Sequence, residues 1–328
     1  MISIVAQQVK VSEVTMAKDR QDLFRYVVEE FAEDYKEGEI SRREFLRRMA
    51  LLAGGIAGAN VLIDSLGMNV AGAAEWQQVF ANIADRENVL LAQQVNPDDP
   101  DIKAEMITFE ARGFTHMAYL AKPVKLEKAP GVLVIHENRG LQPHIQDVAR
   151  RAAKAGYVAM AVDLMSKTGG TAKYTDTAQI SSILAQTSGD EHEANLLENL
   201  KVLKATDGVI ADRLGAFGFC FGGGLTWRLA TAASELKAAV PFYGPAPTLE
   251  KVPNIKAAVL GVYGGNDARI NAGIPALEEA LKKAGKTYEI KIYPGVNHAF
   301  HNDTGANYNK AAAKDAWAKA LEWFKKYV

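Results

Sequence analysis

From residue 102 onward, apolar residues fall in short blocks that alternate between two periods. Ile102 to Ala111 and His116 to Ala121 flank the turn pair Arg112-Gly113 and read as an antiparallel hairpin. Gly131 to Ile135, Tyr157 to Val162, Ile210 to Phe217, Lys237 to Phe242 and Ala257 to Tyr263 are apolar on both faces, the pattern of strands inside a parallel sheet. Tyr288 to Tyr293 adds a last strand. Between them, Gln146 to Gly156, Asp190 to Thr206, Gly223 to Ala233, Ala276 to Gly285 and Ala311 to Tyr327 read as helices, the last with Trp317, Leu321 and Phe324 on one face. This alternation predicts an α/β domain, a mostly parallel sheet with helices on both faces. Right-handed crossovers then gather the C-terminal ends of the parallel strands on one edge. The segment Lys167 to Glu191 is rich in Thr, Ser, Gly and Asp, is long for a plain connection, and reads as a lid or substrate-entry loop. Tyr174 within it, Trp227 and Tyr243 are candidates to line a pocket, with ordinary packing the alternative for each.

The N-terminal third follows a different pattern. Leu23, Tyr26, Val27 and Phe31 recur at helical spacing, so residues 18 to 37 read as an amphipathic helix that Gly38 stops. Ser41-Arg42-Arg43-Glu44-Phe45-Leu46-Arg47 matches the twin-arginine export signal. The apolar stretch that follows, Met49 to Ile63, is about 15 residues long. A stable membrane span needs about 20, so the stretch suits the core of a signal segment instead. Ala71-Gly72-Ala73 offers a small-x-small cleavage site, with the mature chain starting near Ala74. The expectation is a helical export segment over 1–74, a connecting arm over 75–101 with a partial helix around Trp76 to Ala92, and one domain over 102–328. The twin-arginine machinery is then a transient partner and the destination is periplasmic or extracellular. The alternative is a retained N-terminus in the cytoplasm.

Composition narrows the class. Of 328 residues, 48% are hydrophobic, enough for a large core. The net charge of -1 carries no footprint for nucleic acid or an anionic membrane, so neither is expected as a partner. A single cysteine, Cys220, rules out an intramolecular disulfide. No phosphate-loop motif is present, and Gly222-Gly223-Gly224 lacks the spacing of a dinucleotide loop, so no cofactor is expected.

Candidate chemistry centres on that cysteine. Gly218-Phe219-Cys220-Phe221-Gly222 lies between a predicted strand and a predicted helix, the setting of a nucleophile elbow, which exposes one side chain at the top of a sheet. Asp267 follows the strand ending at Tyr263, and His298 follows the strand ending at Tyr293, giving the hydrolase order of nucleophile, acid and base. The chemistry uses all three. The thiolate is the attacking form, a nearby imidazole stabilises it, and a carboxylate fixes the imidazole's tautomer. The His298-x-x-His301 pair, with Asp303 close by, raises a metal reading, but the Pro-Gly-Val-Asn context before it reads as a loop, no further ligand stands at supporting spacing, and no metal is expected.

The strand Gly131 to Ile135 ends in His136-Glu137-Asn138-Arg139-Gly140. With this stretch, Gly218 to Gly223, Gly265-Asn266-Asp267 and Gly295-Val296-Asn297-His298-Ala299-Phe300, the chain resembles the dienelactone hydrolase (carboxymethylenebutenolidase) family over roughly residues 102 to 328. It looks most like an exported subgroup carrying the strings HENRGL and PGVNHxFHND. The resemblance implies an α/β-hydrolase fold that cleaves small esters or lactones through a thioester. In it Cys220 is the nucleophile, His298 the base, Asp267 its orienting acid, and Glu137 the carboxylate that takes the thiol proton when substrate binds. The backbone N–H groups of Phe221 and Asn138 form the oxyanion hole. One departure stands out. The family holds a substrate carboxylate with arginines, one of them four residues past the catalytic histidine, where this chain has Asn302. At the other arginine position it has Lys167, a point charge without the guanidinium fork. Arg139, Arg269 and Tyr243 are further candidates to touch substrate. Thioesterase or small-peptidase activity on the same residues, and a non-catalytic binding protein on the same fold, are the rival readings.

Overall fold

A computed structural model describes residues 21–53, 55–72, 75–76 and 94–328 of the chain. It divides into two compact units. One holds Leu90–Lys173 and Glu193–Val328, and contains the sheet. The other joins the N-terminal segment to an internal stretch, Tyr174–His192.

The sheet has eight strands in the order β1-β2-β4-β3-β5-β6-β7-β8. They are β1 (Ile102–Ala111), β2 (Phe114–Pro123), β3 (Ala129–Ile135), β4 (Val158–Val162), β5 (Val209–Phe219), β6 (Ala238–Phe242), β7 (Ala258–Gly264) and β8 (Tyr288–Tyr293). The first two strands form the expected hairpin around Arg112-Gly113 and join β4 antiparallel; every pairing from β4 through β3 to β8 is parallel. Every residue of β4, β6 and β7 is buried, which their continuous apolar runs require.

Helices cover both faces. Phe217 of β5 meets Phe324 and Trp317 of the helix Lys310–Tyr327, with ring centroids 5.5 and 5.6 Å away. The next residue, Gly218, faces Thr226 of the helix Phe221–Ala232 on the opposite side. Trp227 belongs to the core, where its indole N–H donates to the Tyr263 hydroxyl at 3.0 Å.

The helical unit contains helices over 21–36, Arg42–Leu52, Ile56–Ser65 and Thr177–Gln186. Gly38 does stop the first, with φ +80°. The apolar stretch Met49 to Ile63 is not one continuous helix: the second and third helices meet at 111°. Among the described residues no single helix is long and apolar enough to cross a membrane. The remainder of the expected helix from Trp76 to Ala92, the first 20 residues and the cleavage position at Ala73 lie outside the described residues.

The segment Lys167 to Glu191 is not the open loop its composition suggests. It folds as short 3-10 turns at Ser166–Thr168 and Thr171–Lys173, the helix Thr177–Gln186 and the first turn of a helix Gly189–Ala205. Its small polar residues are structural. Asp176 caps Thr177–Gln186 by accepting from the Ala178 N–H at 2.9 Å. The Ser181 hydroxyl bonds back to the Thr177 carbonyl at 3.0 Å. Beneath them Ala178, Ile180, Leu184 and Ala185 supply a buried face.

Candidate active site

Cys220 stands between the end of β5 and the helix Phe221–Ala232, with φ 55° and ψ -119°. A non-glycine residue in this region is strained, and the surroundings hold it there. Its N–H donates to the Phe242 carbonyl at 3.1 Å, and its own carbonyl accepts from Gly223 at 2.9 Å. The two flanking glycines follow from close packing. A Cβ on Gly222 would overlap the carbonyl oxygens of Ile135 and His136, and one on Gly218 would overlap the Gly222 carbonyl and the Thr226 hydroxyl. The end of β3 therefore lies directly against the elbow, which places Asn138 and Phe221, both buried, on neighbouring stretches of backbone.

Asp267 and His298 meet through the pairing of β7 with β8. Gly264 pairs with Tyr293 at the end of the ladder, and the two following loops are stitched by Gly265 N–H to the Tyr293 carbonyl (2.7 Å) and Asn266 N–H to the Val296 carbonyl (3.0 Å). His298 Nδ1 then lies 2.6 Å from Asp267 Oδ2. The other carboxylate oxygen accepts from the Ile270 N–H at 3.1 Å and caps the single turn Ala268–Asn271. Cys220 Sγ lies within 4.8 Å of a ring nitrogen of His298. Tyr243, fully buried and at φ 37°, packs edge-on against the His298 ring at 4.9 Å between centroids. It thus forms a wall against the His298 ring. Among the described residues, three of the four non-glycine residues with positive φ, Cys220, Tyr243 and Ala299, fall at or beside these groups.

Glu137 is buried at the end of β3. Its Oε2 accepts from Asn302 Nδ2 at 2.8 Å, its only side-chain hydrogen bond among the described residues, and Oε1 has none. The preceding residue was legible in the motif but without a role. His136 has 0% exposure, and its Nε2 accepts from the Leu164 N–H at 3.2 Å. That bond puts the ring proton on Nδ1, which donates to the Glu137 carbonyl at 2.6 Å. Burial pushes His136 below the ordinary histidine range, which keeps it neutral and suited to this bridge between β3 and β4.

The other candidates sit on three different loops after strands. Lys167 is exposed on the turn after β4, Arg139 is half-buried in the loop after Glu137, and Arg269 is half-buried on the turn after Asp267. His301 and Asp303 do not converge with His298. His301 stacks on Phe219 at 5.1 Å and packs near Phe242 and Trp317. Burial, then the nearby His144 and Arg151, push it well below the ordinary histidine range. Asp303 accepts from His144 Nδ1 at 2.8 Å and from Arg151 at 2.6 Å. Burial alone would raise Asp303, but these partners hold it well below the ordinary carboxylate range. The cluster ties the loop after His298 to the helix Pro143–Lys154.

A parallel sheet with a strained cysteine at a strand-to-helix elbow, followed by an Asp–His pair on later strand ends, defines an α/β-hydrolase fold. Residues 117–328 match the dienelactone hydrolase family. A Salmonella typhimurium protein with the provisional name carboxymethylenebutenolidase is 32% identical over 259 residues, 75% of this chain and 96% of its own. A Methylorubrum extorquens protein with the same provisional name is 36% identical over 222 residues, 64% of this chain and 76% of its own. A crystal structure from Klebsiella pneumoniae, provisionally a dienelactone hydrolase, is 33% identical with a TM-score of 0.64, covering 69% of this chain and 99% of its own. The chain belongs to the dienelactone hydrolase family and is a hydrolase of the ester and lactone type.

Proposed function

We propose that the protein cleaves small carboxylic esters and lactones by nucleophilic catalysis from Cys220. The observation that carries this reading is the placement of three groups: the strained cysteine at the elbow, a His298 ring nitrogen within 4.8 Å of its sulfur, and Asp267 2.6 Å from His298 Nδ1. Asp267 holds His298 in one orientation and supports its cationic form. The start of the helix Phe221–Ala232, immediately after Cys220, favours negative charge at the sulfur.

In this reading the thiol proton passes to Glu137, and the thiolate attacks the substrate carbonyl carbon. The negative oxygen of the tetrahedral adduct is received by the backbone N–H groups of Asn138 and Phe221. Such donors contribute about 3 to 4 kcal/mol each. The carbon–oxygen bond then breaks, the leaving oxygen takes up the proton that the thiol gave up, and a thioester remains. Water gives a proton to His298 as it attacks the thioester. The thiolate leaves and regains its proton from His298.

The test is steady-state hydrolysis of p-nitrophenyl esters and small lactones, dienelactone included because of the relatives' name. The wild type is compared with Cys220→Ala and His298→Ala. Turnover by the wild type that disappears in both variants is expected. A folded wild type that turns over nothing in the panel would favour a binding role on the same fold.

A further inference from the structure

Asn302 lies four residues past His298, and its side-chain amide is committed at both ends. Its Oδ1 accepts from the Thr304 N–H at 3.0 Å and the Thr304 hydroxyl at 2.6 Å. Its Nδ2 donates to Glu137 Oε2 at 2.8 Å. Two donors on the oxygen fix which way the amide faces, so the NH2 end has to point at the carboxylate. Glu137 is thus held by one oxygen, by an uncharged group, while Oε1 stays buried and unpartnered among the described residues. Among the described residues no cationic side chain bonds this carboxyl group, so a substrate carboxylate brought beside it would meet no compensating charge there.

Building on the ester-hydrolase reading, we propose that Asn302, locked by Thr304, is a positioning and specificity residue. It presents Glu137 Oε1 to the thiol proton and, being uncharged, restricts the site to esters and lactones whose acyl group carries no charge. In the proton step the S–H bond of Cys220 breaks and an O–H bond forms at Oε1. The sulfur becomes a thiolate, and Oε2 continues to accept from Asn302.

The test compares kcat/KM for p-nitrophenyl hexanoate and p-nitrophenyl hydrogen adipate, which differ by a terminal carboxylate. The wild type is expected to prefer the neutral ester at least tenfold. Asn302→Arg is expected to shrink or reverse that ratio. Asn302→Leu is expected to lower kcat on the neutral ester with little change in KM, and Thr304→Val to do so more weakly. Equal use of both esters by the wild type, or an unchanged ratio in Asn302→Arg, would overturn the proposal. A second readout does not depend on turnover. Cys220 is the sole cysteine, so its alkylation by iodoacetamide and by iodoacetate reports charge selectivity directly. If neither ester is hydrolysed but iodoacetamide keeps the advantage and Asn302→Arg narrows it, the ester reading falls and the charge selection stands. If the two reagents differ no more than they do with a free thiol, the charge selection falls.

The helical unit carries a second inference. The residues of the twin-arginine motif are built into it. Ser41 caps the helix Arg42–Leu52 by accepting from the Glu44 N–H at 3.2 Å, and Arg42 pairs with Glu75 at 2.6 Å. Arg47 pairs with Asp176, and Arg48 with Asp34 at 3.2 Å. Phe45, Leu46 and Met49 have 0% exposure. Ser182 of the internal helix bonds to the Leu51 carbonyl at 3.4 Å. We infer that residues 21–72 are a permanent part of the working protein, because their removal would strip the partner from the helix Thr177–Gln186. The test is intact mass and cell fractionation of the full chain with a C-terminal tag, in hosts with and without the twin-arginine route. One unprocessed mass in both hosts is expected. Active protein outside the cytoplasm starting near Ala74, with an unchanged melting temperature, would overturn the inference.

Discussion

The two units differ in how fully they compensate charge. In the helical unit Arg42, Arg47 and Arg48 are matched by Glu75, Glu44, Asp176 and Asp34, so each guanidinium meets at least one carboxylate. In the sheet unit the pattern splits. Around the helix Pro143–Lys154, Arg150 and Arg151 are matched by Asp147 and Asp303. A few residues away the Glu137 carboxyl group accepts one hydrogen bond among the described residues, from a neutral amide, and three residues in and beside the site carry positive φ. Compensated charge holds elements together, whereas an under-satisfied carboxylate and a strained backbone are costs that persist where they serve chemistry.

The largest effect expected from this contrast is at the elbow. Cys220→Ala should lower kcat/KM by about a thousandfold or more, and Asp267→Asn by about a hundred- to ten-thousandfold, with circular dichroism unchanged. Arg47→Ala in the helical unit should leave kcat near wild type and lower thermal stability instead. If both kinds of substitution moved both quantities alike, the division of labour between the units would be wrong.

Gly222→Ala should strike both quantities. Its Cβ would overlap two carbonyl oxygens of β3, so the backbone between Asn138 and Phe221 has to shift. A loss of about 1 to 3 kcal/mol in stability is expected, with a fall in kcat larger than any change in KM. Asp176→Ala should cost about 2 kcal/mol through the lost Arg47 pair and the lost cap, read as a lower urea midpoint with activity retained.

The contrast also explains what the sequence made legible. The sheet unit was readable because its signals are local and mutually constraining. Strand runs lead into the elbow and into the short loops that carry Asp267 and His298, and one topology brings all three to one edge. The Asn302 bond to Glu137 was not readable, because it joins loops 165 residues apart and depends on which way an amide faces. The partner of the helical unit's apolar run was hidden for the same reason. A short apolar run after two arginines has one composition whether it enters a membrane pathway or packs in a core. The helix that bonds to it, Thr177–Gln186, lies over a hundred residues away in a stretch whose Ser and Thr content resembles a loop. His136 had a visible position in its motif, but its role needs the Leu164 amide at the end of a neighbouring strand.

The smallest expected effect separates structural from chemical histidines. His301 is buried among Phe219, Phe242 and Trp317, and burial, His144 and Arg151 keep it neutral in the folded protein. In the unfolded chain an imidazole titrates near 6.5. Above about pH 6.5 neither state binds the proton. Below it the unfolded chain takes up a proton that the folded one refuses, so stability is lost as pH falls. Each such histidine contributes a slope of up to about 1.4 kcal/mol per pH unit. Asp303, whose partners hold it below the ordinary carboxylate range, is lost only at lower pH and does not enter this window. His301→Phe fills the same aromatic niche without a titrating group. Melting temperatures measured from pH 7.5 to 5 should therefore fall less steeply in the variant than in the wild type, while His298 and its pairing with Asp267 are common to both. Parallel curves would mean that His301 takes up its proton inside the fold, and its place would then belong with the chemistry of the site rather than with its walls.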